Sequence, residues 1–289
     1  MSFAANIIVV VTFFFACGAG SAFLQKRLNL TSIAHGAVFG TGAYVYAVTA
    51  MASGSALMGA LAAFVASGLA GSALVLAAER VVGDDYALTS FAFQVVWLGL
   101  IANIRPIIGG VLGIPNIPSL IGNTKQGNPV LYFAAIGVVF AIFVALILRK
   151  IARSAFALSA AVVARSSELA DTLGISSFAT HAQVGIAYGV IVGLSGAVFG
   201  SFLTYIDPTL FSTDTSITIL AIGFFGVVGG IRGTSLGAII IVGIPELMRF
   251  LGSSMAQAGF AQMAFSGIAL AAVAVWSLRS SKNPWAETK

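Results

Sequence analysis

Long apolar runs separated by short polar punctuation dominate this 289-residue chain. A helical crossing of a ~30 Å hydrocarbon core needs about 20 apolar residues, which places spans near 3–24, 31–51, 55–78, 86–104, 130–148, 182–206, 216–230, 234–251 and 258–278. Ile7 to Leu24 and Leu131 to Leu148 are apolar on every side, whereas a transmembrane β-barrel alternates polar and apolar residues. The pattern predicts an all-α polytopic integral membrane protein, a single transmembrane domain over 1–289 with about nine helices. The stretch 216–230 is the shortest, about 22 Å of helix, and is expected to be broken or re-entrant.

Charge gives these spans a direction. Lys26, Arg27, Arg80, Arg149, Lys150, Arg153, Arg165, Arg232, Arg279 and Lys282 all fall on one side of the nine-span count, the side that the positive-inside rule assigns to the cytoplasm. Ser53 to Ser55, the Gly/Pro-rich stretch from Arg105 to Pro129, Asp207 to Asp214 and Gly252 to Gly259 fall on the other, with Arg105 and Lys125 as the clear basic exceptions. The expected orientation is N-out, C-in. The N-terminal run has no basic n-region and reads as a retained span.

Composition agrees with the pattern. Hydrophobic residues make up 59% and charged residues 8% of the chain, with a mean hydropathy of +1.04, more apolar surface than a soluble globule covers. The net charge of +5 sits at span ends, so it reads as an orientation signal and not as a nucleic-acid surface. Membrane lipid is the expected surrounding.

Glycine marks where helices come close. Gly185, Gly189 and Gly193 recur every fourth residue, with Gly196 and Gly200 continuing the stripe, so one face of that helix is expected to pack closely. Gly226, Gly229, Gly230, Gly233 and Gly237 around Arg232 predict a kinked cytoplasmic turn, and Pro245 a bend in the span after it.

Chemistry is sparse. No Gly-x-x-x-x-Gly-Lys-Ser/Thr phosphate loop occurs, so any ATP is hydrolysed by another subunit. His35 and His181 stand far apart without an acidic ligand cluster, and Cys17 is alone, so neither a metal centre nor an enzymatic role nor a cofactor is expected. His35, Thr41, Tyr44, Gln94, Asn103 and Glu246 are polar residues within or at the ends of spans. They read as interhelical hydrogen-bonding groups or as a mildly polar translocation path for a small solute. Arg249, three residues after Glu246, neutralises it as an ion pair or leaves it for proton coupling in a stand-alone carrier.

One polar break is long, from Arg149 to His181. Ala152 to Ala164 is mostly apolar and need not cross. Ser166 and Ser167 before Glu168 suit a helix start, Leu169, Ala170 and Leu173 follow, and Gly174 supplies a stop. A helix of about two turns is marginal alone in water, so it either lies on the membrane surface or docks into a partner.

The segment Ser166 to His181, with the glycine-striped span to Phe199, resembles the cytoplasmic coupling loop and following helix of branched-chain amino acid ABC importer permeases. The likeness is to the LivM type, with the LivH type as nearest relative. Ser32-Ile33-Ala34-His35-Gly36-Ala37-Val38-Phe39-Gly40-Thr41-Gly42-Ala43-Tyr44 resembles the family's second-span signature. Gly109-Gly110-Val111-Leu112-Gly113-Ile114-Pro115-Asn116-Ile117-Pro118 resembles its external loop, and Gly226 to Arg249, ending Pro245-Glu246-Leu247-Met248-Arg249, its C-terminal signature.

The resemblance implies a permease in the bacterial inner membrane, paired with a second permease, two cytoplasmic ATP-binding subunits and an external solute-binding protein. It implies ATPase coupling through Arg165, Ser166, Glu168, Leu169, Ala170, Leu173, Gly174 and His181, where relatives commonly carry lysine in place of His181. A non-transporting membrane scaffold is the remaining alternative.

Overall fold

The structure is a computed structural model that describes residues 2–77, 81, 84–121, 129–250, 257, 259–268 and 271. Apolar runs that satisfy every backbone group internally become helices. They are α1 (Ser2–Leu28), α2 (His35–Ser53), α3 (Ala56–Leu76), α4 (Asp84–Asn103), α5 (Arg105–Ile108), α6 (Pro129–Ala152), α7 (Ala155–Val163), α8 (Ser167–Thr172), α9 (Ser177–Leu203), α10 (Thr213–Ala238) and α11 (Ile244–Phe250). Among the described residues the one strand-like feature is an isolated bridge between Ile114 and Ile206.

Among the described residues, six stretches are long and apolar enough to cross a membrane: Ala4–Leu28, Ala56–Leu76, Asp85–Asn103, Pro129–Ala152, Ser177–Leu203 and Pro208–Phe250. The differences from the nine expected spans have physical causes. The expected span at 31–51 is α2, whose His35, Thr41 and two tyrosines dilute its apolar content. The expected spans 216–230 and 234–251 both fall inside Pro208–Phe250. Of 258–278, residues 259–268 are helical and much of the rest lies outside the described residues.

Glycine determines the centre of the fold. A Cβ on Gly185 or Gly189 would strike the backbone of Ser67, Gly71 or Ser72 in α3, and one on Gly196 would strike the Phe39 carbonyl in α2. From the other side, a Cβ on Gly42 would meet the backbone of Gly193. The glycine stripe of α9 therefore serves two neighbours, α3 along its first half and α2 along its second. Such close approach replaces a hydrophobic driving force that lipid does not supply. Gly200 lies against Ala43 and Ile206 in ordinary contact.

The first residues of α2 lie inside the protein. Ser32, Ala34 and His35 are all fully buried, and residues 29–34 reach them as non-helical backbone. Such backbone is tolerated at membrane depth only where protein surrounds it and its polar groups find partners. Here Ser90 Oγ accepts from the Ile33 N–H at 2.8 Å, Ser216 Oγ from the Gly36 N–H at 2.8 Å and Gln94 Oε1 from the Ala37 N–H at 2.7 Å.

Within α10 the backbone breaks at Gly230, with φ 62° and ψ −146°. Only glycine adopts this conformation readily. The chain doubles back there, bringing Gly226 against Thr234 and Gly233 against the Phe225 carbonyl. Residues 213–229 and 231–238 are thus two arms of a helical hairpin, which resolves the expected glycine-rich turn to one residue. Beyond the second arm, a π-helical turn at Ile239–Gly243 precedes Pro245. A proline ring crowds the carbonyl four residues back and donates no hydrogen bond, so a widened turn accommodates it.

Two ends of the molecule follow. Lys26, Arg27, Arg149 and Gly230 line one cleft of about 260 Å³. At the opposite end of α1, Asn6, Leu203, Thr209, Pro245 and Glu246 line another of about 790 Å³. The second end is also where the loop after α5 closes over α9, through Ile114 and Ile206 exchanging backbone hydrogen bonds at 2.8 and 3.1 Å.

Candidate functional site

The polar break between α6 and α9 folds as two short helices. α7 turns off α6 at Arg153–Ser154 and buries Ala157, Ala160 and Val163. α8 starts at Ser166, whose Oγ accepts from the Leu169 N–H at 3.2 Å, a side-chain cap for an otherwise unpaired donor. It ends at Gly174 with φ +77°. There Ile175 N–H donates to the Ala170 carbonyl at 2.9 Å and Gly174 N–H to the Asp171 carbonyl at 3.1 Å, the paired bonds of a Schellman stop.

α8 is also tied to the next helix. Asp171 Oδ1 accepts from the Ser177 N–H at the start of α9, 3.1 Å away, and Ser177 Oγ donates to the Ser167 carbonyl at 3.1 Å. Ala170 is fully buried against this junction. Leu169 and Leu173 stand 55% and 63% exposed, so a helix of six residues and its C-cap present two leucines outward.

His181 is placed differently from the exposed members of the expected coupling set. α9 begins at Ser177, capped by Ser176 Oγ accepting from the Ala179 N–H at 3.3 Å, about one turn before the expected span start. That puts His181 inside the helix, buried, with Nδ1 3.0 Å from the Ser177 carbonyl. Its ring belongs to the packing of α9 and is not presented on the surface. Glu168 and Gly174, by contrast, are exposed.

The six residues read as a polar path do not form one path. His35 is fully buried, Nε2 lying 2.9 Å from Ser21 Oγ and Nδ1 2.6 Å from the Tyr188 hydroxyl. Gln94, also fully buried, receives the Ala37 N–H and the Ser216 hydroxyl on Oε1 and donates to the Phe211 carbonyl at 2.8 Å. Thr41 donates to the Ala37 carbonyl and accepts from Trp97 Nε1 at 2.9 Å. These three hold the embedded start of α2 against α1, α4, α9 and α10.

The remaining three diverge. Asn103 is exposed at the end of α4 and donates to its own Gly99 carbonyl at 2.7 Å. Tyr44 packs its ring against Trp97 and Phe211, and its buried hydroxyl has no hydrogen-bond partner among the described residues. Glu246 pairs with Arg249 at 2.8 Å and lines the 790 Å³ cleft.

Sequence reading missed the residues that complete these networks: Ser21, Ser90, Tyr188 and Ser216. Each is a small or aromatic residue inside an apolar run and carries no local signal. The nearest clue is Ser32, whose Oγ accepts from the Ala34 N–H at 3.1 Å and turns the chain into α2.

A family model described as branched-chain amino acid transport system, permease component, matches residues 3–278. Neither a curated protein nor a solved structure matches the chain. The matched span takes in every helix from α1 to α11, the α7–α8 segment and the embedded start of α2. This multi-pass membrane protein belongs to the permease component family of branched-chain amino acid transport systems.

Proposed function

We propose that the chain is the LivM-type permease subunit of an ATP-driven importer in a bacterial plasma membrane, carrying branched-chain amino acids or a related small polar solute such as urea or an amide. A second permease, two ATP-binding subunits and an external solute-binding protein complete the assembly. The observation that carries the reading is α8: a capped and stopped helix, tied to the start of α9, holding Leu169 and Leu173 outward. Lys26, Arg27 and Arg149 gather at one end of the molecule, and the positive-inside rule assigns that end to the cytoplasm.

A helix this short gains stability by docking, and the hydrogen bonds from Ser177 to Asp171 and Ser167 couple a displacement of α8 to the start of α9. The two leucines suit an apolar cleft on an ATPase subunit. Leu173→Asp is expected to lower ATP-driven uptake by tenfold or more in the assembled transporter, with membrane insertion and thermal stability unchanged. Wild-type uptake by that variant would overturn the docking role of α8. Solute accumulation by the purified chain alone under an imposed pH gradient would overturn the ATP-driven reading.

A further inference from the structure

We propose that the cleft at the Asp207 end is a subsite for a zwitterionic α-amino acid, with Glu246 receiving the ammonium and Arg249 the carboxylate; this rests on the permease reading above. The cleft holds about 790 Å³, within the range of small-molecule sites. It lies between the start of α1, the end of α9, the 3-10 turn Pro208–Phe211 and α11. Phe14, Phe199, Phe202 and Leu210 give it an apolar wall, and Thr209 and Thr215 add hydroxyls.

The charges in this cleft are paired and adjacent. Arg249 Nη1 donates to Glu246 Oε2 at 2.8 Å, with Glu246 16% and Arg249 43% exposed at the side chain. That bond uses one carboxylate oxygen and one guanidinium nitrogen. Glu246 Oε1 and the remaining guanidinium N–H groups make no hydrogen bond among the described residues. A carboxylate can therefore be met by the free edge of the guanidinium fork, and an ammonium by the free carboxylate oxygen.

A site of zero net charge with neighbouring opposite poles favours a solute of the same kind. An organic anion meets Arg249 but is repelled by Glu246, and an amine has the reverse difficulty. The cleft at the other end offers Lys26, Arg27 and Arg149 without an acid in its lining, so the two ends discriminate differently. The apolar wall beside the pair receives a branched aliphatic side chain. Partial exposure of the pair keeps binding weak enough for release, as passage requires.

The test uses the transporter assembled with its ATPase, second-permease and solute-binding subunits in proteoliposomes, with leucine as probe. Glu246→Gln and Arg249→Gln are each expected to reduce ATP-driven leucine uptake at least tenfold, with thermal midpoint and basal ATP hydrolysis unchanged. The reversal Glu246→Arg with Arg249→Glu restores the ion pair but exchanges its poles beside a fixed apolar wall, and is expected not to restore uptake. Wild-type leucine uptake by either neutral variant, or recovery in the reversal, would overturn the subsite while leaving the permease reading intact. Absence of ATP-driven leucine uptake by the wild-type assembly would overturn the subsite, and absence of ATP-driven uptake of leucine, urea and short amides alike would overturn the permease reading as well.

Discussion

Gln94 makes three hydrogen bonds from one fully buried amide, and a buried group left without its partner costs about 1–3 kcal/mol. Gln94→Leu strands the Ala37 N–H, the Ser216 hydroxyl and the Phe211 carbonyl together, so a loss of roughly 3 kcal/mol or more is expected in a detergent unfolding titration. Tyr44→Phe has the opposite expectation. Its hydroxyl is buried without a partner among the described residues, so stability in the same titration should be equal to wild type or higher. Both residues stood out in the sequence as polar positions within apolar runs. Their different fates were not legible there, because His35 and Tyr188 or Gln94 and Ser216 meet only through tertiary packing, 153 and 122 positions apart.

At the scale of elements, features written in neighbouring residues were legible. Ser166 and Gly174 announce both ends of α8, and the four-residue spacing of glycines announces a face of close approach. The break at Gly230 was legible as a cluster and became definite only in the backbone, where φ 62° and ψ −146° single out one glycine among five. Gly230→Ala is expected to cost about 1–3 kcal/mol through backbone strain alone, since a Cβ there meets open space. Gly229→Ala, a helical neighbour also in open space, is the control and should change the midpoint of thermal unfolding little. The embedded start of α2 was not legible, because periodicity along a chain reports which face is apolar and not how deep a helix begins.

Across the whole molecule, the apolar residues left outside are as informative as those within. α3 exposes Leu57, Leu61, Val65 and Leu69, and α6 exposes Val139, Ile142, Phe143 and Leu146. In water these would be association surfaces; on a multi-pass membrane permease they form a lipid-compatible outer belt. Hydropathy made this outer belt visible from the start. The expected span at 31–51 is α2, which is less apolar than its neighbours because a helix largely surrounded by other helices has no need of a lipid-compatible surface.

The enclosure of α2 also bears on motion. Side chains from α1, α4, α9 and α10 converge on its first turn through Ser21, Gln94, Tyr188 and Ser216. A rocking movement that separated any of these helices near that turn would strand donors and acceptors in a place without water, so α1, α2, α4, α9 and the first arm of α10 travel as one body around it. The hinge of a transport cycle then belongs where the helical ladder is already interrupted: at Gly230, in the widened turn before Pro245, or at Arg153–Ser154. Amide hydrogen exchange is expected to be slowest over residues 36–44 and measurably faster over residues 228–234 and 239–245. The reverse order would place the moving seam through the middle of the protein.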